Sequence, residues 1–132
     1  MRLGGALVAA WVILTASPAP AGHGTPVPML TLEPEQAKRL LDGGQLPVFI
    51  DLRPANEFAR ARLPRALSIP LSDLRRRHDE IPSTGHVILY CACPTEEITA
   101  AFRFIVAEGY QNVRVLGEGF PGWVKRGYPV ER

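Results

Sequence analysis

Beyond residue 30 the chain alternates short apolar runs with stretches whose apolar residues recur at helical spacing. A parallel sheet wrapped by helices produces that alternation, because each buried strand is followed by a crossover helix with one apolar face. Pro34 suits a first helical turn, and Ala37, Leu40 and Leu41 supply an apolar face before Gly43 and Gly44 stop the helix. Val48-Phe49-Ile50 is short, apolar and partly β-branched, so it reads as a buried strand ending at Asp51. Pro54 then opens a short helix carrying Phe58. Ala66-Leu67-Ser68-Ile69 is a brief strand closed by Pro70, after which Ser72 is placed to cap a helix through Leu74. The strongest strand pattern is Val87-Ile88-Leu89-Tyr90, which delivers Cys91 at its carboxyl end. A helix start follows directly, with Thr95 as the expected cap and Glu96 and Glu97 favouring the positive end of the macrodipole. Ile98, Ala101, Phe102, Ile105 and Val106 give that helix a buried face up to Gly109. Val113 to Leu116 is a last core strand, and Trp123 sits on a closing helix ahead of Gly127-Tyr128-Pro129.

Residues 1–21 follow another pattern: one basic residue at Arg2, an apolar run from Leu3 to Leu14, then small residues and prolines ending in Ala19-Pro20-Ala21. That order predicts a secretory signal peptide, hence export to a periplasm-like compartment. The apolar run is shorter than the roughly 20 residues that span a bilayer, so a membrane tether is the alternative reading, kept open by Pro20 inside the cleavage motif. No cysteine follows the run, so a lipobox is absent. Residues 22–29 are rich in Gly, His, Thr and Pro and read as a flexible lead-in, leaving 30–132 as one domain. The formal charge of +2 is scattered over several segments and makes no case for a nucleic-acid partner. The dense run Arg75-Arg76-Arg77-His78 follows Leu71 and Leu74 at helical spacing and reads as the wet face of a short helix.

The chain has two cysteines, Cys91 and Cys93, in Cys-Ala-Cys. Spaced pairs that would staple a small exported fold are missing, so core packing must hold it and the two thiols are free for chemistry. A cysteine between a buried strand and a helix start faces free N–H groups that stabilise negative charge on sulfur. In open α/β sheets the reactive crevice lies at the carboxyl ends of strands, where Asp51 and Cys91 both fall.

Ile50-Asp51-Leu52-Arg53 with Glu57-Phe58 and Leu63-Pro64-Arg65-Ala66-Leu67-Ser68-Ile69-Pro70 resembles the first half of a rhodanese domain. Tyr90-Cys91, Ala100-Ala101, Gly109-Tyr110, Asn112-Val113, Leu116, Gly119 and Trp123 are similar to its second half. The resemblance implies a doubly wound α/β fold with a mainly parallel sheet of about five strands and helices on both faces, needing no cofactor. It implies that Cys91 carries sulfur: its thiolate takes the outer sulfur of a small donor, becomes a persulfide and passes that sulfur to a thiophilic acceptor, a protein thiol or a small molecule. Asp51 and Arg53 match the Asp-x-Arg of the early strand, as a structural ion pair or helix cap or in a direct role. Glu57 and Trp123 are assigned to the scaffold, and His78 and His86 to the surface.

The loop departs from the usual family pattern, which places a glycine and an arginine after the cysteine. Here it runs Cys91-Ala92-Cys93-Pro94-Thr95-Glu96-Glu97, with Glu96 at the arginine position. At roughly 6 Å and an effective dielectric near 20, repulsion between sulfur and an inward carboxylate is on the order of 2 to 3 kcal/mol. A helix terminus typically returns about 0.3 to 1 kcal/mol, so the direction of these side chains decides the matter, and thiosulfate loses its cationic partner. A phosphatase or arsenate reductase would need an arginine where Glu97 stands. The loop resembles a Cys-x-Cys-Pro variant of rhodanese-like domains that ends in a glutamate. Cys93 opens a thiol-disulfide alternative, in which it resolves a Cys91 persulfide or sulfenate through a tight ring that is easy to reduce. A non-catalytic binding module is the third reading. Two sulfurs without a suitably spaced histidine fall short of a closed zinc site, so no metal is expected.

Overall fold

The computed structural model describes residues 25–132; the signal segment at 1–21 lies outside them, as does the start of the 22–29 lead-in. Five strands, β1 (Thr31–Leu32), β2 (Val48–Asp51), β3 (Leu67–Ser68), β4 (Val87–Tyr90) and β5 (Val113–Leu116), form one sheet. All pair in parallel, in the order β1-β5-β4-β2-β3. The helices are α1 (Pro34–Asp42), α2 (Ala55–Arg60), α3 (Leu74–Arg77), α4 (Thr95–Ala107) and α5 (Gly119–Lys125), with 3-10 turns at Leu71–Asp73 and His78–Glu80.

Successive side chains of a strand face opposite sides of the sheet, and β4 uses both. Val87, Leu89 and Cys91 join Leu74 of α3 and Ile98, Phe102 and Ile105 of α4 in one core. Ile88 and Tyr90 join Phe49 of β2, Ala37 of α1 and Trp123 of α5 in the other. Helices therefore cover both faces, as the doubly wound expectation requires, and every residue of β4 is buried. From β2 the chain moves outward to β3, while from β4 it moves the other way to β5. The strand order thus reverses between β2 and β4, whose carboxyl ends are tied by the Leu52 N–H donating to the Tyr90 carbonyl at 2.9 Å.

Several local expectations are corrected. Strand β1 has only two residues, too few to show a period, and was not anticipated. Helix α1 starts at Pro34 as predicted, but the Glu33 N–H is satisfied by Oε1 of Gln36 at 2.9 Å, an unforeseen partner. Thr95 does not cap α4. Pro94, extended at φ −56 and ψ 149, takes the cap position, and its carbonyl accepts the Glu97 and Ile98 amides at 3.1 and 3.4 Å. Ser72 is likewise no cap: Pro70 turns the chain into the Leu71–Asp73 turn, and α3 begins only at Leu74. Leu74 is buried and Arg75 and Arg76 are exposed, as read from the sequence. His86 is exposed, but His78 is half-buried, its ring edge-on to Phe104 at 5.5 Å, because the turn after α3 folds back against α4.

Candidate active site

At the reversal point, the buried tip of β2 carries an ion pair. Asp51 is fully buried and Arg53 is 3% exposed. Arg53 Nε donates to Asp51 Oδ1 at 3.0 Å and its Nη2 to Oδ2 at 2.7 Å and to the Ala61 carbonyl at 2.7 Å. The Tyr90 hydroxyl donates to Asp51 Oδ2 at 2.6 Å and accepts the Leu63 N–H at 3.2 Å. Arg53 also lies flat over the Phe120 ring at 3.6 Å. Burial works against its charge, yet the hydrogen bonds and charge of Asp51 outweigh it and the guanidinium pKa is raised. Burial, reinforced by Asp51, raises the Tyr90 phenol well above its ordinary value. This unit joins β2, β4 and the segment before β3, and the ion pair is one of the two readings left open for Asp51 and Arg53. Tyr90 and Phe120 were not singled out from the sequence. A lone phenol closing an otherwise aliphatic strand was the available signal for Tyr90.

Cys91 follows Tyr90 on the opposite face and is 5% exposed. Its Sγ is joined to that of Cys93 in a disulfide, with the two Cα atoms 5.4 Å apart, where the strand-to-helix turn had led to the expectation of a free thiolate. Cys93 is half-buried against the α4-side core, while Ala92, Pro94, Thr95, Glu96 and Glu97 are exposed. Both glutamates are therefore exposed to solvent, which weakens the repulsion considered above. Among the described residues the amides of Ala92, Cys93, Thr95 and Glu96 donate to no backbone carbonyl, so the loop that carries the two sulfurs keeps unpaired N–H groups.

The loop is a ridge between two clefts. One, of about 490 Å³, is bordered by Met29, Thr31, Thr95, Ile98 and Glu118. The other, of about 500 Å³, is bordered by Arg53, Glu57, Leu71, Asp73 and Glu97. Cys91, Ala92 and Cys93 border both. The position of the ridge is set from below by the turn into α5: the Phe120 N–H donates to the Cys91 carbonyl at 2.9 Å, and Gly119 adopts φ +57. A Cβ on Gly119 would run into that same carbonyl, so this residue's glycine is required by close approach as well as by backbone conformation. Among the described residues no group of three or more His, Cys, Asp or Glu side chains is arranged to hold a metal.

Cys91 lies at the carboxyl end of a central parallel strand, beside the topological switch point where doubly wound α/β proteins form their crevice. The family model for the rhodanese-like domain matches residues 33–126, and the chain belongs to that family. It is 29% identical over 94 residues to a sulfurtransferase of Allochromatium vinosum, covering 71% of this chain and 86% of that one. It is 34% identical over 95 residues to YqhL of Bacillus subtilis, covering 72% of each. Among solved structures it resembles a rhodanese-related protein of Thermoplasma volcanium, with a TM-score of 0.68, 20% identity and coverage of 77% of this chain and 97% of that one. A thiosulfate sulfurtransferase of Pseudomonas aeruginosa matches at a TM-score of 0.66 and 26% identity, over 79% of this chain and 20% of the other.

Proposed function

We propose that this domain moves sulfane sulfur through a persulfide on Cys91 to a thiophilic acceptor, after a thiol has opened the Cys91–Cys93 disulfide. The observation that carries this reading is the position of Cys91, at the end of β4, bordering two open clefts within a loop whose amides are unpaired. The Cys91 thiolate attacks the outer sulfur of the donor, the donor's sulfur–sulfur bond breaks, and its electron pair leaves with the donor remnant. An acceptor thiolate then attacks the outer sulfur of the persulfide, takes it, and returns Cys91 as a thiolate. Asp51, Arg53 and Tyr90 do no chemistry in this scheme; they hold the floor on which the loop stands. With no free cation in the loop, small thiosulfate-like dianions are expected to be poor donors. The signal-like leader leads us to propose an exported, oxidising location, which fits a disulfide resting state.

That disulfide also favours a second reading, in which Cys93 closes the cycle. Its thiolate attacks the inner sulfur of the Cys91 persulfide and expels hydrogen sulfide, regenerating the disulfide with atoms and electrons in balance. One experiment tests both. Protein reduced and then freed of reductant is incubated with a sulfane-sulfur donor and read by intact mass. A gain of about 32 Da on the wild type or on Cys93→Ser, absent from Cys91→Ala, is the expected result. Cys93→Ser should keep the added sulfur while the wild type releases sulfide and regains the disulfide. Failure of Cys93→Ser to load any sulfur overturns sulfur transfer through Cys91.

A further inference from the structure

The charges that border the disulfide select what opens it. In the second cleft the only guanidinium on the wall is Arg53, and both oxygens of Asp51 and the Ala61 carbonyl already engage it. Its remaining Nη1 is 3.9 Å from Glu57. Glu97 stands exposed on the first turn of α4 with no basic partner among the described ion pairs, and Glu96 beside it has none. Asp73, also on this wall, is shared with Arg76 and Arg77. In the first cleft the charged wall residue is Glu118, which Arg126 engages. The neighbouring arginines do not supply the missing cation: Arg75 lies over the Phe104 ring at 4.8 Å, and Arg77 is bound to Glu80 at 2.8 Å. The disulfide is thus approached past Glu97, which has no basic partner, and Glu57, whose nearest cation is already held by Asp51, with no free positive group on either wall among the described residues to receive an anion.

The two sulfurs are also unequal. Cys93 is half-buried at the ridge, whereas Cys91 is 5% exposed beneath it. We propose that the disulfide is opened at Cys93 by a thiol that carries positive charge beside its own sulfur, such as a small aminothiol or a protein cysteine flanked by basic residues. This inference rests on the reading of the Cys91–Cys93 loop as the reacting site. The incoming thiolate attacks Cys93 Sγ, the disulfide bond breaks, and the electron pair leaves on Cys91, within the loop of unpaired amides. A second equivalent of thiol attacks the mixed disulfide on Cys93, carries off the partner's own disulfide, and leaves a Cys93 thiolate that takes up a proton. Two partner thiols are oxidised and one protein disulfide is reduced. The acidic approach attracts a cationic thiol and repels an anionic one, an effect that acts on the rate of encounter and is screened by salt.

The test uses the oxidised full chain with three small thiols of similar size: cysteamine, 2-mercaptoethanol and 3-mercaptopropionate. Each rate is divided by that of the same thiol with the uncharged 2,2′-dipyridyl disulfide, which removes differences in thiol acidity. Cysteamine should exceed 3-mercaptopropionate by about tenfold at low salt, with 2-mercaptoethanol between. In about 1 M NaCl the spread should close to within roughly twofold. Acid-quenched intermediates, digested and mapped, should carry the thiol on Cys93. The double variant Glu57→Gln, Glu97→Gln should narrow the low-salt spread while still being reduced by 2-mercaptoethanol. Equal or reversed normalised rates, adducts confined to Cys91, or a spread untouched by the double variant would overturn the proposal. So would a folded protein that none of the three thiols reduces. If the charge order holds but reduced Cys93→Ser gains no sulfur, the sulfur-transfer reading fails and this inference stands; sulfur loading with a flat charge order defeats this inference alone.

Discussion

Asp51, Arg53 and Tyr90 form a buried, hydrogen-bonded unit at the tips of β2 and β4, next in sequence to Cys91. A charge pair at this depth is stable only because its hydrogen bonds are complete, and removing one partner strands the other in a site closed to water. Asp51→Ala should therefore lower the unfolding free energy by about 3 to 5 kcal/mol, read by urea denaturation. Tyr90→Phe removes the hydroxyl that bridges Asp51 and the Leu63 amide, and should cost about 1 to 3 kcal/mol near neutral pH. The same phenol makes a pH prediction. Its folded pKa is raised by burial and by Asp51, so the folded state holds its proton more firmly than the unfolded chain does. The stability this contributes is complete below the unfolded value of about 10 and is lost as pH rises past it. Stability measured across about pH 9 to 11 should fall more steeply for the wild type than for Tyr90→Phe. Parallel slopes would show that the phenol is not coupled to folding in this way.

At the level of elements, the Cys91–Cys93 loop is positioned by helix α5 as much as by the strand that precedes it. Gly119 enters α5 with a positive φ and lies against the Cys91 backbone, where the next amide holds the Cys91 carbonyl. Gly109, after α4, has φ +101 but open space where a Cβ would go. The two glycines separate backbone strain from contact. Alanine at either position bears the left-handed backbone cost of roughly 1 to 2 kcal/mol, but Gly119→Ala must also push the Cys91 carbonyl aside. Gly119→Ala should be the more destabilising of the two and should change the alkylation rate of Cys91 in the reduced protein. Gly109→Ala should leave that rate unaltered. Equal alkylation rates in both variants would mean that α5 does not set the loop.

For the molecule as a whole, two cores on opposite faces of the sheet carry the fold, one under α3 and α4 and the other under α1 and α5. The disulfide spans a separation of two residues and so restricts the unfolded chain very little. Loop-closure entropy for so short a ring is worth about 1.6 kcal/mol, against a net stability of roughly 5 to 15 kcal/mol for a domain. Reduction should therefore shift unfolding by no more than about 2 kcal/mol, measured in urea with and without reductant. A domain that unfolded on reduction would show that the bond serves structure and is not available for cycling.

The linear order of residues already determined most of this architecture. Val48–Ile50 and Val87–Tyr90 are apolar runs of strand length, and Val113–Leu116 is one broken only by Arg114; separated by helical periods, such runs fit the middle of a parallel sheet, where strands are buried on both faces. The position of Cys91 was legible for the same reason, because the residue that follows a buried strand and precedes a helix start lies at the carboxyl edge of the sheet. Helix caps were read less well, since Pro70 and Pro94 each shift the start of the helical backbone relative to the hydroxyl residue that follows. Strand β1 was too short to carry a signal. What only the tertiary structure decided are relations between distant segments: Phe120 beneath Arg53, the Tyr90 hydroxyl on Asp51, Gly119 against the Cys91 carbonyl, and Glu57 of α2 and Glu97 of α4 bordering the same cleft as the two cysteines. Local periodicity reports which face of an element is buried. Which side chains then meet across the sheet depends on strand order and register, and those are settled only when the cores pack.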